Sequence, residues 1–180
     1  DGQWCNKLPW DVLKNITIDN EPLPRLDDVL VWAHENDILL SLDIKTSFKA
    51  ENSLSQKVIK TLEKTNSKDI VLLLFLDHNE LVQVKRSYPE ITVRALSRGR
   101  MFNYADYLKS IGADCASVSY DLFRPADIEQ IHAVGISIVL DGLWNPNVDL
   151  FDTLEIDIFT HDNPSDARRI LKNISEFSVQ

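Results

Sequence analysis

The sequence predicts a parallel α/β protein of TIM-barrel type, a (β/α) repeat with six recognisable strands. Three observations predict it. From residue 26 onward, one unit recurs: a helical stretch, a turn, then a short apolar strand. Strict alternation of this kind requires crossover connections and therefore parallel strands. Residues 70–76 are apolar on both faces, as strands covered on both sides are. No Gly-x-Gly-x-x-Gly and no phosphate-binding P-loop is present, which disfavours a doubly wound nucleotide domain.

Each element follows from local pattern. Leu26, Val29, Leu30 and Ala33 form a helical stripe over 26–36, and a strand follows at 38–45. Leu54, Val58, Ile59 and Leu62 mark the helix over 53–64, ahead of the strand at 70–76. Asp77, with Glu80 three residues on, reads as an N-cap opening a helix that Pro89 stops near Tyr88. A strand at 91–96 leads to a helix over 103–111 that Gly112 ends. The strand at 115–120 precedes a helix opened by Pro125 and closed by Gly135. Strands at 136–143 and 156–160 flank the irregular stretch 144–149, and Asn163-Pro164 starts a last helix running to about Phe177. Residues 1–25 stand outside the repeat as an irregular connector, with one or two helical turns at 9–14 and an extended passage at Pro22 and Pro24. The whole of 1–180 reads as one domain, with 26–180 carrying the repeat.

Composition narrows the partners. A net charge of -9 argues against nucleic acid, which needs clustered Lys and Arg, and against an anionic membrane surface. No apolar stretch in residues 1–180 approaches a membrane span or reads as a signal-peptide core. The compartment is not readable, the cytoplasm being the default. Two cysteines make neither a disulfide framework nor a zinc site; Cys115 reads as a buried hydrophobe, and the state of Cys5 is open.

In a parallel βα array, chemistry gathers at the carboxyl ends of the strands. Those ends carry, in order, Asp43 and Lys45; Asp77 and His78; Ser97, Arg98 and Arg100; Ser119 and Asp121; Asp141; and Thr160, His161 and Asp162. Oxygen ligands for a hard cation are thus mixed with basic groups for a phosphate. Ser41, Asp43 and Lys45 share one strand face and Leu40, Leu42 and Ile44 the other. Asp43 and Lys45 carry the strongest signal, followed by Asp141 and His161. Structural roles suit the rest: Asp77 as a cap, His78 exposed in a first helical turn, His34 and His132 on helix faces.

These residues resemble the glycerophosphodiester phosphodiesterase family. Pro24-Arg25-Leu26-Asp27-Asp28-Val29-Leu30 followed by Leu42-Asp43-Ile44-Lys45 is similar to its proline-led helix and Glu-x-Lys strand end. Tyr120-Asp121-Leu122-Phe123 with His132-Ala133-Val134-Gly135 resembles its sixth βα unit, and Thr160-His161-Asp162-Asn163-Pro164 its closing Thr-Asp-x-Pro. The resemblance implies a TIM barrel that hydrolyses glycerophosphodiesters to glycerol 3-phosphate and an alcohol, with a divalent cation, calcium or magnesium. It implies that Asp43 replaces a metal-binding glutamate and that Lys45 contacts phosphate; Asp141 and His161 are expected to bind substrate from their strand-end placement.

The resemblance also implies gaps. Phe75-Leu76 stands where the family has Ser-Phe, and Leu140-Asp141-Gly142 where it has Trp-Thr. The first two βα units, with the family's His-Arg-Gly, its Glu-x-Asp and a second histidine, would lie ahead of Asp1. The expectation is therefore a carboxyl-terminal portion of the barrel, inactive alone, with a small glycerophosphodiester or phosphorylated ligand. A second chain or copy would cover the open sheet edge. The alternatives are a degenerate barrel serving as an interaction or ligand-binding module, and an unrelated α/β enzyme with its site at Asp43.

Overall fold

The computed structural model describes residues 5–45, 54–119, 121–141 and 155–177. A short helix α1 (Trp10–Leu13) precedes a two-stranded antiparallel hairpin, β1 (Thr17–Ile18) and β2 (Glu21–Pro22). The sequence reading had assigned no strand here. The hairpin's two loop residues, Asp19 and Asn20, both have positive φ (51° and 71°). A tight loop matched to strand twist demands this, and Asp and Asn tolerate it. The Arg25 guanidinium lies 5.4 Å from the Trp10 ring centroid and ties α1 to the repeat.

The repeat then runs α2 (Leu26–Glu35), β3 (Leu40–Ile44), α3 (Leu54–Thr65), β4 (Val71–Phe75), α4 (His78–Ser87) and β5 (Thr92–Ala95). It continues through α5 (Tyr104–Ile111), β6 (Cys115–Ser119), α6 (Pro125–Ala133), β7 (Ser137–Asp141), β8 (Ile158–Phe159) and α7 (Pro164–Phe177). Strands β3 to β8 form one parallel sheet in sequential order, a curled half-barrel with helices. The six expected strands are the six of this parallel sheet, each trimmed by a residue or more at an end. Ser53, Tyr120, the strand end at Leu143 and the 144–149 stretch lie outside the described residues.

Register assigns the two faces. In parallel pairing, partner residues point the same way, so Leu40, Leu42, Ile44, Val71, Leu73, Phe75, Val93, Ala95, Ala116, Val118, Ile138 and Leu140 share the helix-facing side. With Leu30, Ile59, Leu62, Leu81, Leu108 and Ile131 from the helices they build the hydrophobic core. Each fully buried Leu, Ile or Phe stabilises by roughly 1.5–3 kcal/mol. The opposite, concave side carries Asp43, Leu74, Arg94, Cys115, Ser117, Val139 and Asp141. Cys115 is buried there, as expected of a small hydrophobe, and burial pushes its thiol up to about 11.

At the amino ends of the strands two aspartates brace the sheet. Asp114 accepts the Val93 N–H at 2.8 Å and pairs with Lys85 at 2.7 Å. Asp157 accepts the Ile138 N–H at 2.7 Å and pairs with His132 at 2.9 Å. They span β5–β6 and β7–β8, whose ladders each hold only two register pairs. Side chains thus add bonds where the backbone offers fewest.

Candidate functional site

Asp43 and Lys45 stand at the carboxyl end of β3 as the alternation requires. Lys45 Nζ lies 3.2 Å from Asp43 Oδ2, and the two side chains are 82% and 39% exposed. So open an ion pair contributes little stability, and the ammonium is free to turn to another anion.

From two strands on, the concave face holds a connected polar group. Arg94, only 4% exposed, donates from Nε to Ser117 Oγ at 2.9 Å and from Nη2 to Asp141 Oδ1 at 2.6 Å. Thr160 Oγ1 donates to the same Oδ1 at 2.7 Å, while its backbone N–H reaches Leu140 O. Four strand units, β5 through β8, are thereby linked through Arg94 and Asp141. Asp141 and Thr160 are brought together; Arg94, the anchor, is not among the strand-end candidates because it lies within β5. Its signal was available: a lone charge between Val93 and Ala95 in an otherwise apolar strand must find a partner.

The remaining strand-end residues make local contacts. Asp77 caps α4, accepting N–H groups from Asn79 at 2.9 Å and Glu80 at 3.4 Å. His78 departs from expectation: it is half-buried, with Nδ1 2.8 Å from Tyr107 Oη and Nε2 3.0 Å from Leu96 O. The Leu96 carbonyl accepts from Nε2 and the Tyr107 hydroxyl pairs with Nδ1, so both nitrogens are engaged. His161 Nδ1 accepts the Asn163 N–H at 2.9 Å within its own loop, and Asn163 Oδ1 caps α7 through the Ser165 N–H. Ser119 donates to Asp121. Arg100 pairs with Asp127 at 2.6 Å, and Arg98 is exposed. Partial burial raises the Asp127 carboxyl, but hydrogen bonds from Arg100 and the Arg124 N–H prevail and hold it below the usual range.

The model of the glycerophosphoryl diester phosphodiesterase family matches residues 3–166. The chain belongs to this family. Several solved glycerophosphodiester phosphodiesterases share its fold. One from Galdieria sulphuraria superposes with a TM-score of 0.80 at 18% identity, over 93% of this chain and 70% of that one. A phosphodiesterase from Oleispira antarctica, solved with its product sn-glycerol-3-phosphate, gives 0.78 at 16% identity over 93% and 72%. The uncharacterized protein YqiK of Bacillus subtilis is 30% identical over 91 residues, 51% of this chain and 37% of that protein's length.

The glycerophosphoryl diester phosphodiesterase family is generally metal-dependent. A hard cation takes six or more oxygen ligands. Among the described residues, no three His, Cys, Asp or Glu side chains gather where a metal could sit. Asp43 offers one carboxylate with an ammonium beside it, and Asp141 already carries a guanidinium. The described residues do not by themselves build a cation site. Nor is any helix among them long and apolar enough to cross a membrane.

Proposed function

We propose that this chain forms part of a glycerophosphodiester phosphodiesterase site in which Lys45 holds the phosphate. The single observation carrying this is the Asp43–Lys45 pair: exposed, at a strand's carboxyl end, on the concave face of a barrel-type sheet. Lys45 is a mobile point charge suited to a phosphate oxygen. Asp43 orients that ammonium and is the residue proposed to give one oxygen to a divalent cation, calcium or magnesium, the other ligands coming from elsewhere. Asp141 and His161 line the same carboxyl-end rim as ligand contacts.

Cleavage needs a proton acceptor and a proton donor on opposite sides of the phosphorus. His34 is exposed on α2, His78 and His132 are engaged in hydrogen bonds, and His161 binds its own loop. No contact joins two of the four histidines. The chain alone is therefore proposed to bind a small phosphorylated ligand but to turn over little, and a further segment or a second copy is proposed to complete the sheet beyond β3. The same histidine placement favours the second reading, a ligand-binding module without catalysis.

Calorimetric titration with sn-glycerol 3-phosphate, and hydrolysis of glycerophosphocholine with calcium or magnesium, test both. We expect binding that Lys45→Ala weakens about tenfold or more, the loss of a charge-assisted contact, with turnover at background. Metal-dependent turnover abolished by Asp43→Ala would refute the proposed inactivity, and an absence of phosphate binding would refute the site.

A further inference from the structure

We propose that the loops following β4, β5 and β6 form a docking rim for an anionic phospholipid bilayer, with Phe102 as its apolar tip. The inference is independent of the phosphate reading of Lys45 and concerns a surface outside that site.

Because the sheet is parallel, the three loops leave it at the same end. Each presents large apolar side chains to solvent: Leu76 after β4, Met101 and Phe102 after β5, and Leu122 after β6. Phe102 is the extreme, at 94% exposed. One exposed apolar residue needs no explanation, whereas several on neighbouring loops mark an interaction surface. The tip is held on both sides. Ser97 Oγ donates to Gly99 O at 2.8 Å within the β5 loop. The buried rings of Tyr104 and Phe123 meet at a centroid distance of 5.6 Å and pin the β5 loop to the β6 loop.

Charge selects the occupant. Residues 96–103 and 121–124 carry Arg98, Arg100 and Arg124 against one acid, Asp121, whose carboxylate accepts the Ser119 hydroxyl. The other carboxylates of this end stand at helix starts, where the positive end of the dipole offsets them. Asp77 caps α4, Asp106 lies in the first turn of α5, and Asp127 of α6 pairs with Arg100 at 2.6 Å. The charge of -9, which argues against such a surface, belongs to the whole chain. Screening over about 8 Å at physiological ionic strength leaves a bilayer to feel mainly the face that touches it. An aromatic tip among arginines suits a headgroup layer: the ring enters the acyl boundary while the long basic stems keep their guanidinium groups among the phosphates.

Co-sedimentation of the 1–180 chain with vesicles of phosphatidylcholine alone, or of equal parts phosphatidylcholine and phosphatidylglycerol, tests this. Binding to the mixed vesicles is expected, weakening about tenfold or more as salt rises from about 0.05 to about 0.5 M. Phe102→Ser should weaken it about tenfold or more, and Arg98→Glu several-fold. Neither should shift the thermal unfolding midpoint, because both side chains are exposed. Leu39→Ser and Lys57→Glu make the same kinds of change at exposed positions ahead of β3 and on α3, and should leave binding unchanged. Absence of binding to the mixed vesicles overturns the inference, as does an equal loss in the Leu39 and Phe102 variants. If Phe102→Ser binds vesicles like wild type but loses self-association in sedimentation velocity, the tip docks a second copy and the inference is likewise overturned. None of these outcomes bears on Lys45, which calorimetry tests separately.

Discussion

Asp157 shows how one carboxylate sets a pH limit on this fold. Desolvation pushes its carboxyl up, but the Ile138 N–H and the His132 hydrogen bond outweigh that and hold it below the usual range. A depressed carboxyl contributes stability fully present above its unfolded value near 4 and lost as the pH falls through its lower folded value. Asp157→Asn should therefore be less stable than wild type at pH 7, with the gap narrowing toward pH 3 in urea unfolding. An equal gap at both values would show that charge is not what Asp157 supplies. Legibility at this scale was uneven, for a physical reason. Asp43 and Lys45 were readable because alternation alone places them together. Arg94 with Asp141 was not, because that pair is 47 residues apart in sequence and only the sheet register joins it. His78 failed similarly: a first-turn helical residue is exposed unless a neighbouring unit covers it, and here Tyr107 and the Leu96 carbonyl do so.

At the scale of elements, the helix ends are where sequence punctuation and tertiary packing can be separated. Gly112 and Gly135 follow α5 and α6, both with positive φ, 73° and 81°. An alanine at either meets the left-handed penalty, roughly 1–2 kcal/mol. At Gly135 nothing lies within 4 Å of the added Cβ, whereas at Gly112 it would meet Lys85 Cγ at 3.2 Å. That lysine cannot swing away cheaply, since its Nζ is held by Asp114 and by the carbonyls of Pro89 and Ile91. Gly112→Ala should accordingly cost more than Gly135→Ala, and the difference in chemical unfolding measures how firmly Lys85 is clamped. Equal costs would mean the clamp yields. The glycines were legible as helix stops in the sequence; the hairpin over 17–22 was not. Its loop is Asp-Asn instead of the Gly-containing pair that usually signals such a turn, and its strands are two residues each.

Across the whole molecule, the ladders between neighbouring strands are uneven in length, and polar side-chain bonds compensate where the ladder is thin. β3–β4 and β6–β7 pair over five residues each, β5–β6 and β7–β8 over two. Each thin junction carries an aspartate brace at its amino end and a side-chain bond near its carboxyl end: Asp114 with Arg94–Ser117 at one, Asp157 with Thr160–Asp141 at the other. Local opening follows contact and burial. Amides of β4, whose Val71, Leu73 and Phe75 are buried, should exchange hydrogen only by global unfolding. β3 and β8 are the sheet's outermost strands among the described residues, and their amides should exchange by smaller openings. The junction argument goes further. Thr160 N–H, bonded to Leu140 O at 2.9 Å, should exchange more than about tenfold faster in Asp157→Asn or Asp141→Ala, while β4 amides slow or quicken only with the global stability. If Thr160 and the β4 amides instead change by the same factor in both variants, β8 opens only with the whole sheet. The braces would then contribute to overall stability without governing the edge.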